Sequence, residues 1–93
     1  MMHADPGRIN LDCGIAYARI ASWLEDELAL PRADGGWVYS CDQDSCSISL
    51  EPLESRTLGK IDLERTRLVA EGDPHALESF DKLFTLRFIS AGG

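Results

Sequence analysis

Cysteine and histidine are the residues in this chain best suited to redox, nucleophilic or metal chemistry, and there are three of the first and two of the second. Cys41 and Cys46 bracket a segment of turn composition, Asp42-Gln43-Asp44-Ser45. A hairpin symmetric about Gln43 and Asp44 makes the two cysteines cross-strand neighbours, with β-carbons about 4.5–5.5 Å apart. A disulfide needs about 3.5–4.5 Å, so a small adjustment closes one, and the pair reads as a redox-sensitive clip. The competing reading is two small apolar side chains on the inner face of a strand pair, since free cysteine is among the most buried residue types. Cys13 falls on the apolar stripe of an expected helix and reads as packing.

Metal binding fits the spacing poorly. A structural zinc site takes four Cys or His ligands, usually in closely spaced pairs. Cys41 and Cys46 supply one loose pair, and no second pair follows. His3 lies near the N-terminus and His75 lies far along the chain. Asp42-Gln43-Asp44 opens like a calcium loop, but Ser47 and Leu53 stand where that loop requires Gly and Glu. The expectation is therefore no metal and no cofactor. His75 sits beside an expected helix start, where histidine is usually a solvated first-turn residue and not a base. The chain has no nucleophile elbow, phosphate loop or HExxH motif. No catalytic residue is assigned, and the chain is not expected to be an enzyme.

The elements that must position these residues follow from periodicity. Residues 1–9 read as a disordered leader, and residues 10–93 as one domain, the size expected for a chain of 93. A first helix is expected over residues 11–30. It places Cys13, Tyr17, Ile20, Ala21, Leu24 and Leu28 on one face and ends before Pro31. Residues 32–36 read as a loop. Trp37, Tyr39 and Cys41 alternate with smaller side chains, as do Cys46, Ile48 and Leu50, which predicts a hairpin. Pro52 ends the regular pairing or marks an edge. Residues 55–59 read as a second turn and residues 61–64 as strand again. The alternation slips near Arg65, Thr66 and Arg67, as at a bulge, and Gly72 closes the strand. Asp73 suits an N-cap and Pro74 the first helical position. The stripe Leu77, Phe80, Phe84 and Phe88 marks a second helix carrying most of the aromatic core.

The expected fold is therefore α+β in the order α-β-β-β-α, a three-stranded antiparallel meander with both helices packed on one face. Trp37, Tyr39, Cys41, Ile48, Leu50, Ile61 and Leu63 form the inner face. Val38, Ser40, Ser47, Ser49, Glu51, Asp62 and Glu64 form an outer face left to water.

The formal net charge is −7, spread along the chain, which repels phosphate backbones and anionic lipid. No nucleic-acid or membrane partner is expected. Arg56, Lys60, Arg65 and Arg67 interleave with Glu51, Glu54, Asp62 and Glu64 as a mixed, solvated strand face. No apolar run reaches the length of about 18–20 residues that crosses a bilayer. Residues 1–8 hold no hydrophobic signal core, so a cytoplasmic location and free thiols are expected.

The α-β-β-β-α order is similar to that of the double-stranded RNA-binding domain. In that family lysines at the start of the second helix grip phosphates. The matching segment here, Asp73-Pro74-His75-Ala76-Leu77-Glu78, has none, so the function is not carried over. The chain ends in Gly92-Gly93, which resembles the tails of ubiquitin-like modifiers and sulfur carriers. Glycine is also the ordinary residue past a helix end.

Surplus apolar surface points elsewhere. Trp23 and Ile15 lie off the stripe of the first helix, and Leu86 and Ile89 off that of the second. Contiguous exposed apolar groups mark partner surfaces, and tryptophan is enriched in binding hot spots. The reading that follows is a small, acidic, non-enzymatic accessory or adaptor domain acting by protein–protein interaction, with Trp23, Ile15, Leu86 and Ile89 binding a protein partner or a second copy of the chain. The alternatives are a thiol switch at Cys41 and Cys46, and a C-terminal Gly-Gly carrier.

Overall fold

The computed structural model describes residues 7–89. It is an α+β fold with two helices and an antiparallel sheet of five strands, where three were expected. The strands are β1 (Arg8–Cys13), β2 (Arg32–Ala33), β3 (Gly36–Cys41), β4 (Asp44–Leu58) and β5 (Ile61–Gly72). Their order across the sheet is β1-β5-β4-β3-β2. Helix α1 (Tyr17–Ser22) runs on through a π-helical turn, Trp23–Glu27, and α2 (Pro74–Phe84) through another, Thr85–Ile89.

β1 corrects both the leader and the first helix. In Arg8–Cys13 the inward side chains are Ile9, Leu11 and Cys13, and Arg8, Asn10 and Asp12 alternate with them. This is a period of two, and the segment pairs with β5 from Arg8↔Glu71 to Cys13↔Thr66. Cys13 thus belongs to a strand, although its packing role stands: it lies against the core cluster and its thiol donates to the Thr66 carbonyl at 3.3 Å. The helix begins only at Tyr17. It ends where Ala29 adopts a left-handed φ of 51°, just before Pro31.

The loop expected over residues 32–36 is a second tight hairpin. Asp34 and Gly35 both have positive φ, 47° and 79°, the backbone that a two-residue connection between twisted strands demands. It pairs Arg32 with Trp37 and sets the Arg32 guanidinium 4.7 Å from the centre of the Trp37 ring.

One hydrophobic cluster lies between the sheet and both helices. It joins Ile9, Trp37, Cys46, Ile48, Leu68 and Ala70 of the strands to Ile20, Trp23 and Leu24 of the first helical segment and Ala76, Leu77, Phe80 and Phe84 of α2. Trp23 is the largest correction here. It is 4% exposed, with its ring centre 5.7 Å from that of Phe80, 5.9 Å from Phe84 and 5.2 Å from Phe88. The aromatic stripe of α2 lies over the side of the first helix that a wheel drawn on one helix alone assigns to solvent. Ile15 is likewise packed against the cluster.

β4 and β5 are longer than their neighbours. β3 pairs with β4 no further than Trp37↔Ile48, and β1 pairs with β5 no further than Cys13↔Thr66. Beyond these points β4 and β5 continue alone as a two-stranded arm, turning at Gly59 and Lys60 with Gly59 at φ 64°. The residues expected as a turn at 55–59 are thus mostly strand. Pro52 sits where β4 has become an edge on its β3 side, the position a residue without an amide hydrogen tolerates.

The slip expected near Arg65, Thr66 and Arg67 is absent from that strand, and the irregularity lies in the neighbouring strand. The register jumps between Leu53↔Arg65 and Arg56↔Leu63, so the extra residue is in β4, and β5 alternates without interruption. Thr66, Leu68 and Ala70 face the helices. Ile61 and Leu63 therefore face the opposite side, not the core, and Asp62 and Glu64 exchange faces with them. The rest of the outer face is half-buried Val38, Leu53 and Val69 among polar side chains, and it is not purely acidic. Arg8 pairs with Glu71 at 3.4 Å, Arg67 with Glu51 at 3.3 Å, and Arg65 with Asp12.

Candidate functional site

Two regions stand out: the mouth of the β3–β4 hairpin and the distal arm. At the hairpin mouth the connection is only two residues, Asp42 and Gln43, with Asp42 in a left-handed conformation at φ 58°. The hairpin is centred one position earlier than expected. Cys41 therefore faces Asp44 and Cys46 faces Tyr39. The two cysteines are diagonal, a relationship that separates them by about 7–8 Å and lies outside disulfide geometry. All three cysteines are free thiols. Cys46 is buried, and burial together with the nearby Asp73 carboxylate pushes its thiol up to about 11. Burial, reinforced by Asp12, raises Cys13 as well.

The short turn brings Cys41 to a partner that spacing did not suggest. α2 starts beside the turn, and His75 is its second residue. His75 Nε2 lies 3.0 Å from Asp42 Oδ2 and 3.7 Å from Cys41 Sγ, and Cys41 Sγ lies 4.0 Å from Asp42 Oδ2. Thus one thiol, one imidazole nitrogen and one carboxylate oxygen lie within 4.8 Å of one another. The arrangement differs from a nucleophile–base–orienter relay. Such a relay uses one imidazole nitrogen for the nucleophile and the other for the carboxylate, whereas here the same nitrogen faces both.

The junction that holds this cluster is a pair of hydrogen bonds between Ser45 and Asp73. Ser45 N donates to Asp73 Oδ2 at 3.0 Å, and Asp73 N donates to the Ser45 carbonyl at 3.0 Å. Asp73 is the N-cap residue as expected, but its carboxylate reaches across to the hairpin and makes no hydrogen bond to its own helix. Gly72 permits the close approach. Its φ is 150°, and a β-carbon there would come within 2.5 Å of the Ser45 carbonyl oxygen and 2.6 Å of Cys46 Cα. Deeper in, Tyr39 Oη and Ser79 Oγ are hydrogen-bonded at 2.7 Å, a second tie between β3 and α2.

The arm presents different chemistry. Leu58 pairs with Ile61 and Arg56 with Leu63, so these four side chains share one face. Leu58 is 57% exposed, Ile61 62% and Leu63 41%. A shallow cleft of about 400 Å³ at the foot of the arm is lined by Asp12, Gly14, Arg56, Leu63 and Arg65.

Of the four residues expected to form a partner surface, Trp23 and Ile15 are packed against the core, while Leu86 and Ile89 are exposed. The exposed trio on the arm was missed because parity assigned Ile61 and Leu63 to the core. The terminal Gly92-Gly93 lies outside the described residues.

No protein-family model matches the chain, and neither a curated protein nor a solved structure matches it. The fold established here is an α+β fold with a five-stranded antiparallel sheet and two helices. Among the described residues no helix is long and apolar enough to cross a membrane.

Proposed function

We propose that the chain is a non-enzymatic accessory domain that acts by binding protein, and that the distal arm of β4 and β5 is its binding element. The observation that carries this is the Leu58–Ile61 cross-strand pair with Leu63 beside it, three large apolar side chains exposed on a ribbon that neither β1 nor β3 flanks. An isolated two-stranded ribbon is marginal in water, and a contiguous apolar strip is the usual mark of a docking surface. Covering it would stabilise both the ribbon and the complex.

A second copy of the chain is the partner that fits. At a net charge of −7, two copies repel one another over most of their surface. On the arm the acids Glu54, Asp62 and Glu64 are balanced by the bases Arg56, Lys60 and Arg65. Two arms can therefore meet without net repulsion, with bases of one against acids of the other.

Sedimentation velocity over a wide concentration range tests this. The wild-type chain should shift towards twice its monomer mass as concentration rises, and a Leu58→Ser, Ile61→Ser double variant should stay monomeric. A wild-type chain that remains strictly monomeric, or a double variant that dimerises equally well, overturns the self-association reading.

A further inference from the structure

We infer that Cys41, Asp42 and His75 form a binding site for a single divalent transition-metal ion of the zinc class, with a fourth position open to solvent.

The donor set is selective. A thiolate and an imidazole suit zinc and its borderline neighbours, whereas calcium and magnesium take shells of oxygen ligands, and only one carboxylate is offered here. The separations fit as well. Tetrahedral bonds of about 2.0–2.3 Å place neighbouring donors about 3.3–3.6 Å apart. The observed edges of 3.0, 3.7 and 4.0 Å bracket that range. A shift of a few tenths of an ångström would seat the ion, well within the freedom of surface side chains: His75 is 53% exposed and Asp42 80%.

The site is also held from both sides. Cys41 ends β3 and Asp42 begins the turn, while His75 is fixed to the start of α2. The paired Ser45–Asp73 hydrogen bonds clamp β4, on the far side of that turn, to the N-cap of α2. The donors therefore need no large ordering step before they meet an ion, and less ordering entropy opposes binding. Charge favours it too. A thiolate and a carboxylate match the two positive charges of the ion, and Asp44 stands opposite Cys41 on the neighbouring strand. The proton balance is simple. The ion displaces the Cys41 thiol proton to solvent, binds the neutral imidazole through Nε2 and takes a water molecule in the open position.

The test uses the reduced, tag-free full-length chain titrated with Co²⁺. A near-ultraviolet thiolate-to-cobalt band should appear together with the visible bands of four-coordinate cobalt. Both should saturate at one ion per chain and be lost on adding Zn²⁺. Cys41→Ser should abolish the thiolate band, His75→Gln and Asp42→Asn should each weaken binding by at least ~10-fold, and Cys13→Ser should leave it unchanged. Circular dichroism of each metal-free variant separates lost ligation from lost folding, and the three ligand variants are independent of one another. No thiolate band in the wild-type chain overturns the assignment. So does a band that persists in Cys41→Ser, or an affinity unchanged in folded His75→Gln.

Discussion

The hydroxyl of Thr66, on β5, donates a 2.6 Å hydrogen bond to the backbone carbonyl of Ile15, in the segment joining β1 to α1. Thr66 has no exposed surface, and among the described residues it is the one buried polar side chain. Its own carbonyl accepts from the Cys13 thiol, so one residue of the sheet ties down both ends of the connection that turns β1 into the first helix.

Replacing Thr66 by Val keeps the volume and leaves the Ile15 carbonyl without that donor. A buried unsatisfied acceptor costs about 1–3 kcal/mol. Urea unfolding should show a loss of that size for Thr66→Val, while Thr66→Ser, which keeps the hydroxyl, should lose less. No loss in Thr66→Val alongside a clear loss in Thr66→Ser would mean that the methyl group, not the hydrogen bond, is what matters.

Phe84 touches both Trp23 and Phe88 and is buried between the helices. Phe84→Ala should destabilise by about 3–5 kcal/mol, a large part of the stability of a domain this small. The fluorescence of Trp23 should shift to the red as its pocket opens. A loss below about 1 kcal/mol would show that the two helices do not share one core.

The Cys46 thiol gives stability a pH dependence whose sign is fixed. Its folded-state value is raised to about 11 from an ordinary 9.0, so the folded chain holds that proton more tightly than the unfolded chain. The stabilisation is complete below about 9 and is lost as pH climbs towards about 11. The thermal midpoint of the wild-type chain should fall towards that of Cys46→Ala over this window. The two curves should run parallel below it. Alkylation of native protein at pH 8 should label Cys41 well before Cys46, because Cys46 is both buried and protonated.

The strands around the hairpin, the start of the second helix and its aromatic stripe were legible in the chain itself. Trp37, Tyr39 and Cys41 alternate against Cys46, Ile48 and Leu50, and Asp73-Pro74 opens a helix whose Leu77, Phe80 and Phe84 are all buried. These features are local. A period of two or of 3.6 is written into a few consecutive residues, and a cap depends only on its neighbours.

β1 is also written locally, in the alternation of Ile9, Leu11 and Cys13, but Cys13 fits the apolar stripe of a helix equally well, and only pairing with β5 separates the two. Asp34-Gly35 is likewise a local turn signal, but the two residues of β2 are too few to show a strand period. The burial of Trp23, the bulge in β4 and the meeting of Cys41 with His75 belong to the tertiary structure alone. A helical wheel assigns a face to solvent until another element covers it, and register is a property of two strands, not one. The distance between residues 34 positions apart depends on how many residues the turn takes and on which side the chain returns. Sequence alone determined which segments could pack. Pairing and packing decided what they buried and what they left exposed.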